Sequence, residues 1–192
     1  VLNEILLNLA QWIAAMPSSS GLHESFYMYN WIESTHVLTL TVFLGMLCII
    51  DLRMLGLIMP SVPASIVAQR LDRPMMIGFA VMMVTGLALF WAIPIRSTQS
   101  VWFRLKVILL IAAGINAFLF RNLMQQPDLP WDKDPVPPKR VRVGAALSLT
   151  FWAGVVITGR CIAYDWFDCN HPQGPFIDWA AGCNAGDIEV VE

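Results

Sequence analysis

The sequence predicts an all-α integral membrane protein: a four-helix bundle with an N-terminal amphipathic helix at the membrane interface and a disulfide-bearing outer tail. Three observations lead there. Of 192 residues, 57% are hydrophobic and only 14% charged, against roughly a quarter charged in an ordinary soluble domain, and the mean hydropathy is +0.61. Four apolar stretches reach the length of about 20 residues that a helix needs to cross the hydrocarbon core. None of the four shows the alternating pattern of a transmembrane β-strand.

Taken in order, the chain divides into an outer-face helix and linker over residues 1–22, the bundle over 23–164 and an acidic tail over 165–192. In the first segment Asn3, Glu4, Asn8 and Gln11 recur at helical spacing among Leu, Ile, Val and Trp12, which suits a helix lying on the membrane surface. It is too short to span, and without a basic leading region it makes a poor signal peptide. Pro17, Ser18, Ser19, Ser20 and Gly21 are expected to break the helix before the first span. The spans are Trp31 to Leu57, Pro74 to Ile95, Val101 to Leu123, and Val143 to Tyr164. The connection from Pro127 to Pro138 is too rich in proline for a continuous helix and reads as a connector. No internal repeat suggests a duplicated transporter half.

Orientation follows from the basic residues, which accumulate in cytoplasmic loops. Arg53, Arg70 and Arg73 lie in the connection from Asp51 to Pro74, and Arg121, Lys133, Lys139, Arg140 and Arg142 lie in the connection from Arg121 to Arg142. The opposite side carries only Arg96, so both termini are expected outside: in the periplasm, for a protein of a bacterial inner membrane. Cys169 and Cys183 then fall where disulfides persist. Their pairing would stabilise the tail by roughly 3 kcal/mol in the chain-entropy model, whereas Cys48 and Cys161 read as plain thiols of the helices. The tail is acidic, with Asp165, Asp168, Asp178, Asp187, Glu189 and Glu192. That makes it either a solvated segment or a docking patch for a cationic periplasmic redox partner.

Ionisable groups inside a span are functional candidates, because placing them in hydrocarbon costs several kcal/mol. At a rise of about 1.5 Å per residue His36 lies roughly 8 Å below Trp31, while Arg104, Lys106 and Arg160 each lie about one turn from Trp102 or Tyr164. Glu33 is the one acid near them. Such an excess of positive charge calls for an anion, and haem propionates, an anionic lipid headgroup or a polar quinone head would each answer it. His36 is the candidate axial ligand of a b-type haem. Its second axial partner is missing from the other spans, since His23 and His171 fall outside them.

Glu33 and His36 also make the E-x-x-H spacing of di-iron bundles, but the second such motif and the extra carboxylates are lacking. Lower in the bundle, Asp51 and Arg53 are expected to form an ion-pair network with Arg121. Asn116, among Ala112, Ala113, Gly114 and Ala117, is expected to bridge two helices, with Gly154 and Thr158 as a matching small-residue face. No hydrolase motif and no phosphate-binding glycine loop occurs, and no nucleic-acid partner is expected.

The segments W-I-E-S-T-H, D-L-R-M-L-G at Asp51 to Gly56, F-R-L-K on the third helix and G-R-C-I-A-Y at Gly159 to Tyr164 carry a resemblance. Over about residues 23–164 the chain resembles a family of small bacterial four-helix integral membrane proteins with E-x-x-H, D-L-R-x-L-G and G-R-x-I-A-Y motifs. The resemblance implies the fold and draws attention to Glu33, His36, Asp51, Arg53 and Arg160; it implies no activity. Two function classes remain. One is a redox subunit that binds haem b or a quinone through His36, Glu33, Arg104, Lys106 and Arg160. The other is a structural or assembly subunit, surrounded by membrane lipid, that packs into a homo-oligomer or a larger membrane complex. A proton or solute transporter is a third class, resting only on the ionisable groups within the spans.

Overall fold

A computed structural model of the chain describes residues 2–124, 130–164, 169 and 174–183. Among these residues every regular element is a helix: α1 (Leu2–Ala14), α2 (Pro17–Glu24), α3 (Phe26–Met54), α4 (Ala64–Ala92), α5 (Pro94–Thr98), α6 (Val101–Met124), α7 (Lys139–Ile162) and α8 (Pro175–Ala181). The helices α3, α4, α6 and α7 are long and apolar enough to cross a membrane. Cys169 and Cys183 form the expected disulfide, and Cys48 and Cys161 are free thiols. His171 and most of the acidic tail, Asp178 apart, lie outside the described residues.

Two element boundaries differ most from the sequence reading. The Pro-Ser-Ser-Ser-Gly stretch forms α2 itself, with Pro17 in its first turn, where a missing N–H is harmless. The second long helix begins ten residues before Pro74, which sits inside it, so Arg70 and Arg73 belong to a helix and not to a loop. Its start is fixed from a distance. The Asp132 carboxylate accepts from the Ser65 N–H and the Ser65 hydroxyl, both at 2.7 Å, and the Asp132 carbonyl accepts from the Ala64 N–H at 3.0 Å. Local caps start two of the other long helices. The Ser25 hydroxyl accepts from the Met28 N–H at 3.2 Å before α3, and the Ser100 hydroxyl accepts from the Phe103 N–H at 3.4 Å before α6.

The chain forms two units, and each long helix contributes to both. The first comprises residues 1–35, 85–108 and 155–192, the second residues 36–84 and 109–154. In the first unit α1 packs on α5 through buried Leu7, Ala10 and Ile13. Trp91 fastens α2: its indole N–H donates to the Ser18 hydroxyl at 3.2 Å, and its carbonyl accepts from the Ser19 hydroxyl at 2.7 Å. Phe90 and Phe103 stack at 5.5 Å. The second unit has a core of Ile50, Met54, Ala64, Val67, Trp131, Val141 and Ala145, with Phe43 against Trp152 at 4.8 Å. Outside these cores the long helices present large apolar side chains, among them Leu38, Ile77, Val84, Phe118 and Ile157, as helices that face hydrocarbon do.

Candidate functional site

The polar residues of the second unit gather where the D-L-R-M-L-G segment meets the loop before α7. Arg53 is wholly buried. Its Nε donates to the Val62 carbonyl at 2.8 Å and its Nη2 to the Asp134 carbonyl at 3.2 Å, so one guanidinium holds two loops to the end of α3. Gly56 follows in the left-handed region at φ +78. A Cβ there would lie 3.1 Å from the Pro135 carbonyl oxygen and 3.3 Å from the Val136 Cα, so both the backbone conformation and the neighbour require glycine. Trp131 is buried in the core beside this turn. The next residue, Asp132, caps α4. Within the described part of the proline-rich connector, Trp131 and Asp132 thus tie it to the unit.

Asp51 is buried on the same segment and takes a hydrogen bond from the Ser148 side chain of α7. Its Oδ2 and the Nη1 of Arg53 have no partner among the described residues. The expected ion-pair network of Asp51, Arg53 and Arg121 does not form. Arg121 pairs instead with Asp72 at 3.4 Å, both side chains about half exposed, and Arg53 is taken up by backbone carbonyls. The reason is geometric. Two turns with unsatisfied carbonyls reach the guanidinium, and a planar fork of five donors suits several acceptors better than one carboxylate.

Asn116 does bridge two helices, its Nδ2 donating to the Gly144 carbonyl of α7 at 3.0 Å. Gly154 continues that face. A Cβ on it would lie 2.9 Å from Leu109 Cδ1, so α6 and α7 approach through small residues.

Of the five residues nominated for a cofactor, Arg104 proves to be a structural tie of the first unit. Its Nε donates to the Thr98 carbonyl at 3.1 Å and its Nη1 to Asn3 Oδ1 at 2.9 Å, while Asn3 Nδ2 donates to the Trp179 carbonyl at 3.3 Å. Gly182 ends α8 at φ +80, and any Cβ on it would run into the Arg104 guanidinium. Helices α1 and α6 and the tail therefore share one guanidinium. Lys106 is half-buried, with its Nζ 3.5 Å from the place a Cβ on Gly159 would take. Arg160 is exposed, its guanidinium carbon 5.1 Å from the Tyr164 ring centre. Glu33 is exposed on α3. His36, half-buried on the same helix, belongs to the second unit. The structure therefore brings Lys106 to the α7 backbone beside Arg160 and draws Arg104 to α1 and α8.

Among the described residues no three His, Cys, Asp or Glu side chains gather as metal ligands do. Sequence reasoning missed Asn3, Thr98, Trp131 and Asp132. Only Trp131 carried a usable sign, being a large apolar residue among prolines and charges in a segment read as a connector. Asn3 and Asp132 act across 101 and 67 positions of sequence, beyond any local pattern, and Thr98 serves Arg104 through its backbone carbonyl, which no residue type marks.

No curated protein and no solved structure matches this chain. A family of unknown function, DUF6644, matches residues 22–165, a range that takes in α3 to α7, the Arg53 turn and all five nominated residues, and leaves out Asn3 and α8. With three quarters of its length in that match, the chain belongs to the DUF6644 family.

Proposed function

We propose that the chain is a multi-pass membrane protein with both termini on the outer side of a bacterial inner membrane, acting as a non-catalytic structural or assembly subunit that packs against copies of itself or a larger membrane complex. One observation carries this reading. Helix α1 has three strips where two were expected: Leu7, Ala10 and Ile13 are buried, Glu4, Asn8 and Gln11 are exposed and polar, and Leu2, Ile5, Leu9 and Trp12 are exposed and apolar at 70%, 59%, 50% and 61%. A helix that already packs on its own chain and still shows a second apolar flank has a further surface to cover. Phe176 and Trp179 of α8 are exposed in the same unit. The engagement of Arg53, Arg104 and Asn116 in holding helices and turns agrees with a structural role.

The redox reading, with His36 as axial ligand of a b-type haem or a quinone near the outer face, keeps one observation in its favour. Lys106 and Arg160 place two cations at the end of α7, and among the described residues no acid is paired with Lys106. Gentle extraction from the native membrane separates the two. The structural reading expects resistance to alkaline carbonate, a defined oligomer or co-purifying membrane subunits, and no Soret absorption. A Soret band that disappears in His36→Ala, with the helical spectrum kept, would overturn it in favour of haem.

A further inference from the structure

Between α3 and α4 the second unit carries an open apolar groove of about 400 Å³, walled by Leu38, Val42 and Met46 on one side and Pro74, Gly78 and Val81 on the other. From Leu38 to Met46 it runs for about 12 Å along α3, and its apolar lining suits a hydrocarbon chain. The opening is built into the sequence. Gly78 offers no side chain, and a Cβ there would meet Phe43 and Thr39 only at ordinary contact, 3.8 and 3.9 Å. The space is therefore not forced by overlap.

One end of the groove is charged. Arg70, Pro74, Gly78 and Val81 follow one another at helical intervals of four, four and three, so Arg70 continues the line of the groove by one turn. Arg70 and Arg73 are exposed, and among the described residues neither is paired with an acid, because Asp72 between them is held by Arg121 at 3.4 Å. We propose that this groove is a lipid site: one acyl chain of an anionic phospholipid lies between α3 and α4, and its phosphate is held by Arg70 and Arg73. Phosphate geometry suits arginine, and a basic side chain near a membrane surface favours anionic over zwitterionic lipid. The inference rests on the membrane reading above.

The test is native mass spectrometry of the full chain in mild detergent with phosphatidylglycerol and phosphatidylcholine of identical acyl chains, after carbonate extraction of the source membranes. The expected result is retention of one phosphatidylglycerol over phosphatidylcholine by about fivefold or more. Arg70→Gln, an exposed change that leaves the packing intact, should remove that preference, and Gly78→Leu should lower retention of both lipids by filling the groove. Equal retention of the two lipids by the wild type, an unchanged preference in Arg70→Gln, or a lipid-free dimer seated through α3 and α4 would each overturn the proposal. Release of the chain by carbonate would instead overturn the membrane reading itself, and the lipid site with it.

Discussion

At the scale of single residues the fold depends on side chains that serve backbone carbonyls. Arg53 is the clearest, being fully buried with two carbonyl acceptors. A charged donor to a carbonyl contributes about 1.5–3 kcal/mol. Arg53→Lys keeps the charge and loses the fork, and is expected to lower stability by about 2–4 kcal/mol, measured as the unfolding midpoint in detergent against SDS. An unchanged midpoint would show that Val62 and Asp134 find other donors. Gly56→Ala tests the same turn through the backbone. With φ at +78 and the Pro135 oxygen 3.1 Å from the new methyl group, a loss of about 1–3 kcal/mol is expected. The D-L-R-M-L-G segment stands out through a resemblance, and its arginine and glycine act on the same loop; their partners in residues 131–136 do not stand out, since nothing local marks a carbonyl as an acceptor.

At the scale of elements, the apolar runs disclose the four long helices because hydropathy alone decides whether a stretch of about 20 residues suits hydrocarbon. Their ends follow other rules. Pro74 reads as a helix start, since proline is at home in a first turn, yet α4 extends ten residues before it because Asp132 supplies the cap. Asp132→Ala should cost about 1–2 kcal/mol and fray residues 64–73, detected by faster amide exchange there; exchange unchanged from wild type would count against the cap. The pairing of α6 with α7 offers a comparison of two forces. Hydrogen bonds between membrane helices contribute on average about 0.6 kcal/mol, whereas overpacking a tight contact costs about 1–3 kcal/mol. Gly154→Leu, directed at Leu109, is therefore expected to destabilise more than Asn116→Leu, and the reverse order in unfolding midpoints would assign the helix pair to its polar bridge. Of the nominated site, the residue types and their neighbourhood along the chain were legible. That Arg104 turns to Asn3 was not, because its partner comes from a helix the sequence reading set apart from the bundle.

At the scale of the whole molecule, the arginines and lysines gathered at one end of the long helices make a prediction about sidedness. A thiol introduced at Ser20 should react with an impermeant reagent from the outer face, and one at Lys133 only after permeabilisation; the opposite pattern would defeat the charge argument. Oligomeric state is tested at the same scale through α1. If its apolar flank is covered by a neighbour or by the membrane surface, Leu9→Asp combined with Trp12→Asp should reduce oligomer yield or membrane retention while leaving the helical spectrum intact. Retention of both properties would leave that flank without a role and remove the main support for the subunit reading.

The hydrogen bond from Asn3 to the Trp179 carbonyl joins residues 176 positions apart. A ribosome delivers Asn3 long before Trp179, and at about 5–20 residues per second the interval is roughly 9–35 s. Throughout that interval α1 has been made and α8 has not, so the Asn3 amide waits for the carbonyl it will serve. The network around Arg104 that joins α1 to α8 therefore closes only after the tail has been made. Maturation of this protein is thus a matter of timing as well as of stability.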